Sequence, residues 1–219
     1  MTRIYFIRHC EAQGNAKRIF QGSTDCDITE LGAKQLEFIT ERFKDIKIDR
    51  AYSSPLIRAM KTAQAAVKGK NLTVEPEAGF REIDGGVLDG QKFDDVFEKA
   101  PVLEEIWFMH PQDFAPEGGE PMRDAYERIW EATCKIIKDN PDKTVVVAAH
   151  GGVIRCLLSR LHFGTVDRLT DVGWSENTAV SLIEFDENFN ANIIIESDSS
   201  HLPKEFLPVR MRAMRDRIK

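Results

Sequence analysis

Short apolar runs that stop abruptly at charged residues alternate along this chain with stretches whose apolar positions recur every three or four residues. The first run, about Ile4 to Ile7 in "RIYFIRHCE", predicts a strand. A helix is predicted from Thr29, a good N-cap residue, with Leu36, Ile39 and Phe43 at one-face spacing. A second short strand near Ala51-Tyr52 runs into "SSPLIRAMKTAQAAV", where Ser54 suits a cap and Pro55 the first helical turn. Another β segment is predicted near Leu72-Val74.

From about Arg81 to Pro121 the periodicity fades and Gly, Pro and aromatic residues accumulate. Trp107, Phe108, Met109, His110 and Phe114 fall where no regular helix face is predicted, so the segment reads as a lid over a pocket or as an insertion packed on the sheet. A strong helix follows in "MRDAYERIWEATCKIIKDN", with Met122, Tyr126, Ile129, Trp130, Thr133 and Ile137 along one face, ending before Pro141. "TVVVAA" has the uninterrupted apolar character of a strand buried on both faces of a parallel sheet, and "GGVIRCLLSRL" begins a helix after His150. "TAVSLIEF" and "NIIIES" close the chain as a strand pair. Strands alternating with helices predict an α/β sheet.

Composition narrows the function. With 42% hydrophobic and 30% charged residues among 219, the chain can bury a sizeable core and stay in solution. Thirty Lys and Arg against 36 Asp and Glu give a net charge of −6, which points away from nucleic acid and anionic membranes and requires any anion site to be local. No run reaches the roughly 18 apolar residues of a membrane span, and "MTRIYFIRHCE" does not read as a signal peptide, so a cytoplasmic setting is expected. Cys10, Cys26, Cys134 and Cys156 have neither disulfide-framework nor zinc-ligand spacing.

His9 and His150 each follow a predicted strand, and Arg58 falls in the first turn or so of a helix that follows one. In open α/β sheets such strand ends share an edge where ligands bind, and helix N-termini there attract anions. Arg8, Arg58, His9 and His150 on one edge would make a cationic pocket suited to phosphate. Hydrolysis of a phosphate monoester is very slow uncatalysed and calls for dense charge stabilisation. Two guanidiniums can fork onto phosphate oxygens, and a neutral imidazole can attack phosphorus and carry the phosphoryl group. Glu82 in "REIDGG" is the candidate proton donor to the leaving oxygen, with Asp84 a nearby competitor.

Taken in order, "RHCEAQGNAKRIFQG", "YSSPLIRAMKTA", "REIDGGVLDG" and "AAHGGVIR" resemble the motifs of the histidine phosphatase superfamily, whose fold is phosphoglycerate mutase-like. The resemblance implies a three-layer α/β/α sandwich with a mostly parallel sheet: one domain over 1–219 with a lid-like insertion at about 85–121. It implies His9 as the phosphorylated histidine and Arg8, Arg58 and His150 as phosphate ligands. Glu82 becomes the acid that protonates the leaving group and then activates water. Asn15, Gln21, Gly22 and Gly151 would border the substrate, a small phosphomonoester, with no metal or organic cofactor.

Two positions depart from the family pattern. Cys10 stands where the motif usually reads Arg-His-Gly, so a side chain must fit where the backbone passes close to the phosphate. "EIDGG" replaces the Arg-His-Tyr-Gly run of the mutases, which places the chain nearer the broad-specificity and α-ribazole phosphatases than the cofactor-dependent phosphoglycerate mutases. The rival expectations are such a mutase and a non-catalytic phospholigand-binding module. Cations beside Cys10 would favour a reactive thiolate, but a tolerated small residue is the plainer expectation. His162 and His201 read as structural, and the basic "KEFLPVRMRAMRDRIK" as a solvated helix or frayed tail.

Overall fold

A computed structural model describes residues 1–207. Six strands form one sheet: β1 (Thr2–Arg8), β2 (Arg50–Ser53), β3 (Val74–Pro76), β4 (Thr144–Ala149), β5 (Val180–Phe185) and β6 (Ala191–Asp198), in the order β3-β2-β4-β1-β5-β6. The β3-β2, β2-β4 and β4-β1 pairings are parallel, while β1-β5 and β5-β6 are antiparallel. The helices are α1 (Gln13–Lys17), α2 (Glu30–Phe43), α3 (Ile57–Ala66), α4 (Phe93–Lys99), α5 (Pro101–Met109), α6 (Met122–Asp139) and α7 (Gly151–Phe163).

The two-residue repeat of each strand divides the core into layers. Ile4 and Phe6 of β1, with Val145, Val147 and Ala149 of β4, point to the side filled by α6 and α7. Ile7 of β1, Val146 of β4 and Ala51 of β2 point the other way, onto Ile39 and Phe43 of α2 and Ala66 of α3. Because β1 and β4 are covered on both faces, Ile4 to Ile7 of β1 and Val145 to Ala149 of β4 are uninterrupted apolar runs. Thr29 caps α2 by accepting from Gly32 N–H at 3.0 Å. The buried stripe of α6 contains Met122, Tyr126, Ile129, Thr133 and Ile137.

The sequence pattern is matched with four adjustments. The third strand begins at Val74, two residues later than Leu72. Helix α3 starts at Ile57: Ser54 Oγ accepts from Leu56 N–H at 3.3 Å in the turn before it, and Pro55 stays outside. Trp130 lies at the border of the α6 stripe, half-buried under the Arg160 guanidinium 5.1 Å from its ring. The segment with no predicted helix contains α4 and α5, with Phe93, Phe97, Trp107 and Phe114 gathered around Phe20. That packing partner comes from the loop after α1, between 93 − 20 = 73 and 114 − 20 = 94 residues upstream, so local periodicity carries no trace of it. The basic C-terminal run lies mostly outside the described residues; of it, the Phe206 ring packs tilted against Phe38 of α2, with centroids 4.9 Å apart.

Adjacent order β2-β4-β1 places three parallel strand ends side by side. His9 N–H donates to Ala149 O, and Ser54 N–H to Ala148 O, both at 2.9 Å. Residues more than a hundred positions apart therefore meet at one edge.

Candidate active site

His9 leaves the end of β1 almost wholly buried, and its Nδ1 lies 2.6 Å from the Cys10 carbonyl oxygen. A carbonyl only accepts, so the proton of the neutral ring sits on Nδ1 and Nε2 carries the lone pair. Burial holds this imidazole well below its ordinary pKa, and the charges of Arg58 and Arg8 push the same way. Its ring centroid is 5.1 Å from that of His150.

His150, fully buried at the N-cap of α7, has Nε2 2.7 Å from Ser54 Oγ, while Nδ1 has no partner among the described residues. Burial, then Arg58, His9 and Arg8, keep it too well below the usual imidazole value. Arg58, also fully buried, donates from Nη1 to Thr24 O at 2.8 Å and from Nη2 to Gly22 O at 3.2 Å, leaving Nε without a partner among the described residues. Arg8 donates from Nη1 to Ser175 O, and its Nε likewise has no partner among the described residues. Burial depresses both arginines, and the negative charge of Glu82 opposes that effect at each. Among the described residues, three nitrogens of this cationic cluster have no hydrogen-bond partner, an arrangement with the chemistry to hold an anion.

Glu82 sits at the N-terminus of α7. Its Oε2 accepts from Gly152 N–H at 3.3 Å and Oε1 from Ile83 N–H at 3.1 Å. A Cβ at Gly152 would lie 2.6 Å from Glu82 Oε1, so only glycine admits the carboxylate there. Gly151 is similarly enclosed: a Cβ on it would be 3.2 Å from the Trp174 ring and 3.4 Å from Arg8 Cζ.

The remaining sequence candidates flank this cluster less directly. Gly22 contributes the carbonyl that positions Arg58. Asn15 Oδ1 accepts from Ala12 N–H at 3.0 Å, which commits that oxygen to the backbone. Gln21 packs on Gly14, with Oε1 buried and unpartnered among the described residues. Asp84 serves the loop instead, accepting from Gly86 N–H at 2.9 Å and from Ser23 Oγ at 3.4 Å. Among the described residues no group of three or more His, Cys, Asp or Glu side chains is arranged to hold a metal ion, and no helix is long and apolar enough to cross a membrane.

Residues 4–193 match the histidine phosphatase superfamily (branch 1). The chain belongs to this superfamily. It is 30% identical to phosphoserine phosphatase 1 of Hydrogenobacter thermophilus over 87% of this chain and 90% of that protein. It is also 30% identical to the probable phosphoglycerate mutase GpmB of Cronobacter sakazakii, over 74% and 75%. The structure superposes on Bacillus stearothermophilus YhfR with a TM-score of 0.87 at 27% identity, covering 92% of this chain and 99% of that one.

Against the usual Arg-His-Gly of the histidine phosphatases, Cys10 proves easily accommodated. Its side chain is fully buried, a Cβ at Gly32 of α2 would lie 3.4 Å from its Sγ, and its backbone is not in the left-handed region. Its N–H donates to Thr62 Oγ1 at 3.1 Å, and Thr62 Oγ1 donates to Arg58 O at 2.7 Å. Burial pushes the thiol up to about 12, which favours the expected reading of a tolerated small residue over a reactive thiolate.

Four supporting residues were given no site role by the sequence, although Ser54 and Thr62 lie within the "YSSPLIRAMKTA" motif. Ser54 touches His150, Thr62 ties the His9 loop to α3, Asn177 Nδ2 donates to His9 O at 2.9 Å, and Thr178 N–H donates to Arg8 O at 3.0 Å. The polar run "WSENT" immediately before the last apolar strand pair carried the available signal, because a strand antiparallel to β1 begins where β1 ends. His201 Nε2 lies 3.2 Å from Thr178 Oγ1, and Arg42 Nη1 donates to its Nδ1 at 2.8 Å, a structural use. His162 pairs with Glu196 on the surface.

Proposed function

We propose that this histidine phosphatase superfamily member hydrolyses phosphomonoesters of small alcohols through a phosphohistidine on His9. The observation that carries the reading is the Nδ1 contact to Cys10 O at 2.6 Å, which presents Nε2 as the nucleophile beside two guanidiniums. Arg8, Arg58 and His150 bind the non-bridging oxygens. Nε2 of His9 attacks phosphorus, forming the P–N bond as the P–O bond to the alcohol breaks, and the departing alkoxide takes the proton of the Glu82 carboxyl. The resulting Glu82 carboxylate then removes a proton from water. The hydroxide attacks phosphorus, the P–N bond breaks, and inorganic phosphate leaves. Charge developing on the oxygens meets donors already fixed in place, so little reorganisation accompanies the transition state.

In place of the basic run of the mutases, Asp84 and Asp89 follow Glu82 and accept from Ser23 Oγ, where their charge would repel a bisphosphate. The relative named as a probable mutase supports interconversion of phosphoglycerates as the alternative reading. Turnover of small phosphomonoesters, measured beside bisphosphate-primed phosphoglycerate exchange, separates the two. Hydrolysis in the wild type, its loss in a folded His9→Ala variant, and no primed exchange are expected. Near-normal hydrolysis by His9→Ala refutes the nucleophile assignment, and strong primed exchange favours the mutase.

A further inference from the structure

Trp174 is 43% exposed, which is unusual for a tryptophan whose surroundings are so closely built. The Arg155 guanidinium lies over its ring at 4.8 Å, with Arg155 Nε donating to Val172 O at 2.8 Å. Trp107 of α5 lies nearly parallel to it, at 23° and 5.9 Å, and is itself packed on Phe114 at 4.9 Å and Phe20 at 5.3 Å. Two tryptophans from separate segments are thus pinned together beside the anion cradle. One methyl-sized position, the Cβ that Gly151 lacks, would touch both the Trp174 ring and the Arg8 guanidinium. The next residue, Gly152, binds the Glu82 carboxylate. A leaving oxygen that takes its proton from Glu82 therefore emerges beside Gly151 and Gly152, and the alcohol attached to it runs along Trp174.

We propose that Trp174, backed by Trp107 and pinned by Arg155, is a specificity-determining platform for the alcohol half of the substrate. It selects phosphomonoesters whose alcohol carries a flat ring, of aryl or nucleobase type. The inference rests on the hydrolytic reading above and adds the substrate class. A ring packed against the exposed part of a fixed tryptophan gains dispersion and aromatic contact without any hydrogen-bond requirement, so the platform discriminates by shape and tolerates different ring substituents.

The test compares kcat/KM for 2-phenylethyl phosphate and n-propyl phosphate, whose alcohols differ in the ring and little in acidity. The wild type is expected to prefer the phenylethyl ester by about tenfold or more, as one stacked ring supplies. Trp174→Ala is expected to reduce that ratio to about two, mainly through KM, while Trp174→Phe keeps most of it. Inhibition by inorganic phosphate should weaken less than about threefold in either variant, since the platform faces the alcohol and not the phosphoryl group. A wild type that hydrolyses both esters without preference overturns the platform and leaves the hydrolytic reading standing. So does a preference that survives Trp174→Ala. Phosphate inhibition that weakens in step with KM also overturns it, because Trp174 would then act by positioning Arg8. Turnover of neither ester, with no phosphohistidine formed, overturns the hydrolytic reading itself.

Discussion

Substituting Gly152 by alanine tests the proton-donor role of Glu82 without removing its carboxyl. The new Cβ would sit 2.6 Å from Glu82 Oε1 and 2.8 Å from Ile83 Cδ1, against an ordinary contact of 3.4 Å or more, so the carboxylate must retreat by about 3.4 − 2.6 = 0.8 Å. A displacement near 1 Å in a reacting group costs on the order of 100-fold in rate, within the 10²–10⁴-fold that general acid catalysis commonly supplies. Fold stability should change little, because alanine gains about 1 kcal/mol over glycine inside a helix while crowding of this size costs about 1–3 kcal/mol. The assay is kcat/KM, which covers the steps up to the phosphoenzyme and so isolates protonation of the leaving oxygen from the later activation of water. An alkyl phosphate, whose alkoxide needs the proton, should lose about 100-fold; a nitrophenyl phosphate, whose phenolate leaves unaided, should lose less than about tenfold. Glu82→Gln should show the same selectivity. Equal losses on both esters, or an unimpaired alkyl ester in a folded Gly152→Ala protein, would refute the proton-donor assignment.

Two further outcomes follow from the buried histidines and the buried thiol. His9 and His150 are held neutral in the fold by burial and by the arginines, whereas in the unfolded chain each takes up a proton below about pH 6.5. The unfolded state then binds more protons, so stability falls as pH drops through that value, by up to about 1.4 kcal/mol per pH unit for each histidine. Urea denaturation at pH 7.5 and 5.5 should show a steeper loss for the wild type than for His150→Asn, and equal losses would contradict the buried-neutral assignment. Cys10, with its thiol pushed up to about 12 by burial, should resist iodoacetamide in the native protein and react once the chain is unfolded. Alkylation of native Cys10 at pH 8, read by mass spectrometry, would show that the thiol is accessible after all.

What the sequence made legible divides along a physical line. Strands β1 and β4 and helices α2 and α6 announce themselves because each carries its own periodic apolar pattern, sharpened at α2 by the Thr29 cap. Arg8, His9, Arg58 and His150 were readable because parallel strand ends converge whatever the loops do, and all four meet in one buried cluster. Helices α4 and α5 were not, since no α5 side chain is fully buried and its order comes from distant aromatics such as Phe20 and Trp174. Asn177 and Thr178 were hidden for a related reason. They reach His9 and Arg8 only through the antiparallel direction of β5, which a strand pattern does not encode. Cys10 looked consequential beside two cations, yet its Sγ packs toward Gly32 of α2.

The central claim is tested most directly by trapping the phosphoryl group. Rapid acid-free quenching after mixing with a ³²P-labelled phosphomonoester, followed by peptide mapping, should find a base-stable, acid-labile label on the peptide bearing His9, absent from His9→Ala and longer-lived in Glu82→Gln. Steady hydrolysis with no label at His9 at any quench time, or with the label on another residue, would contradict the account.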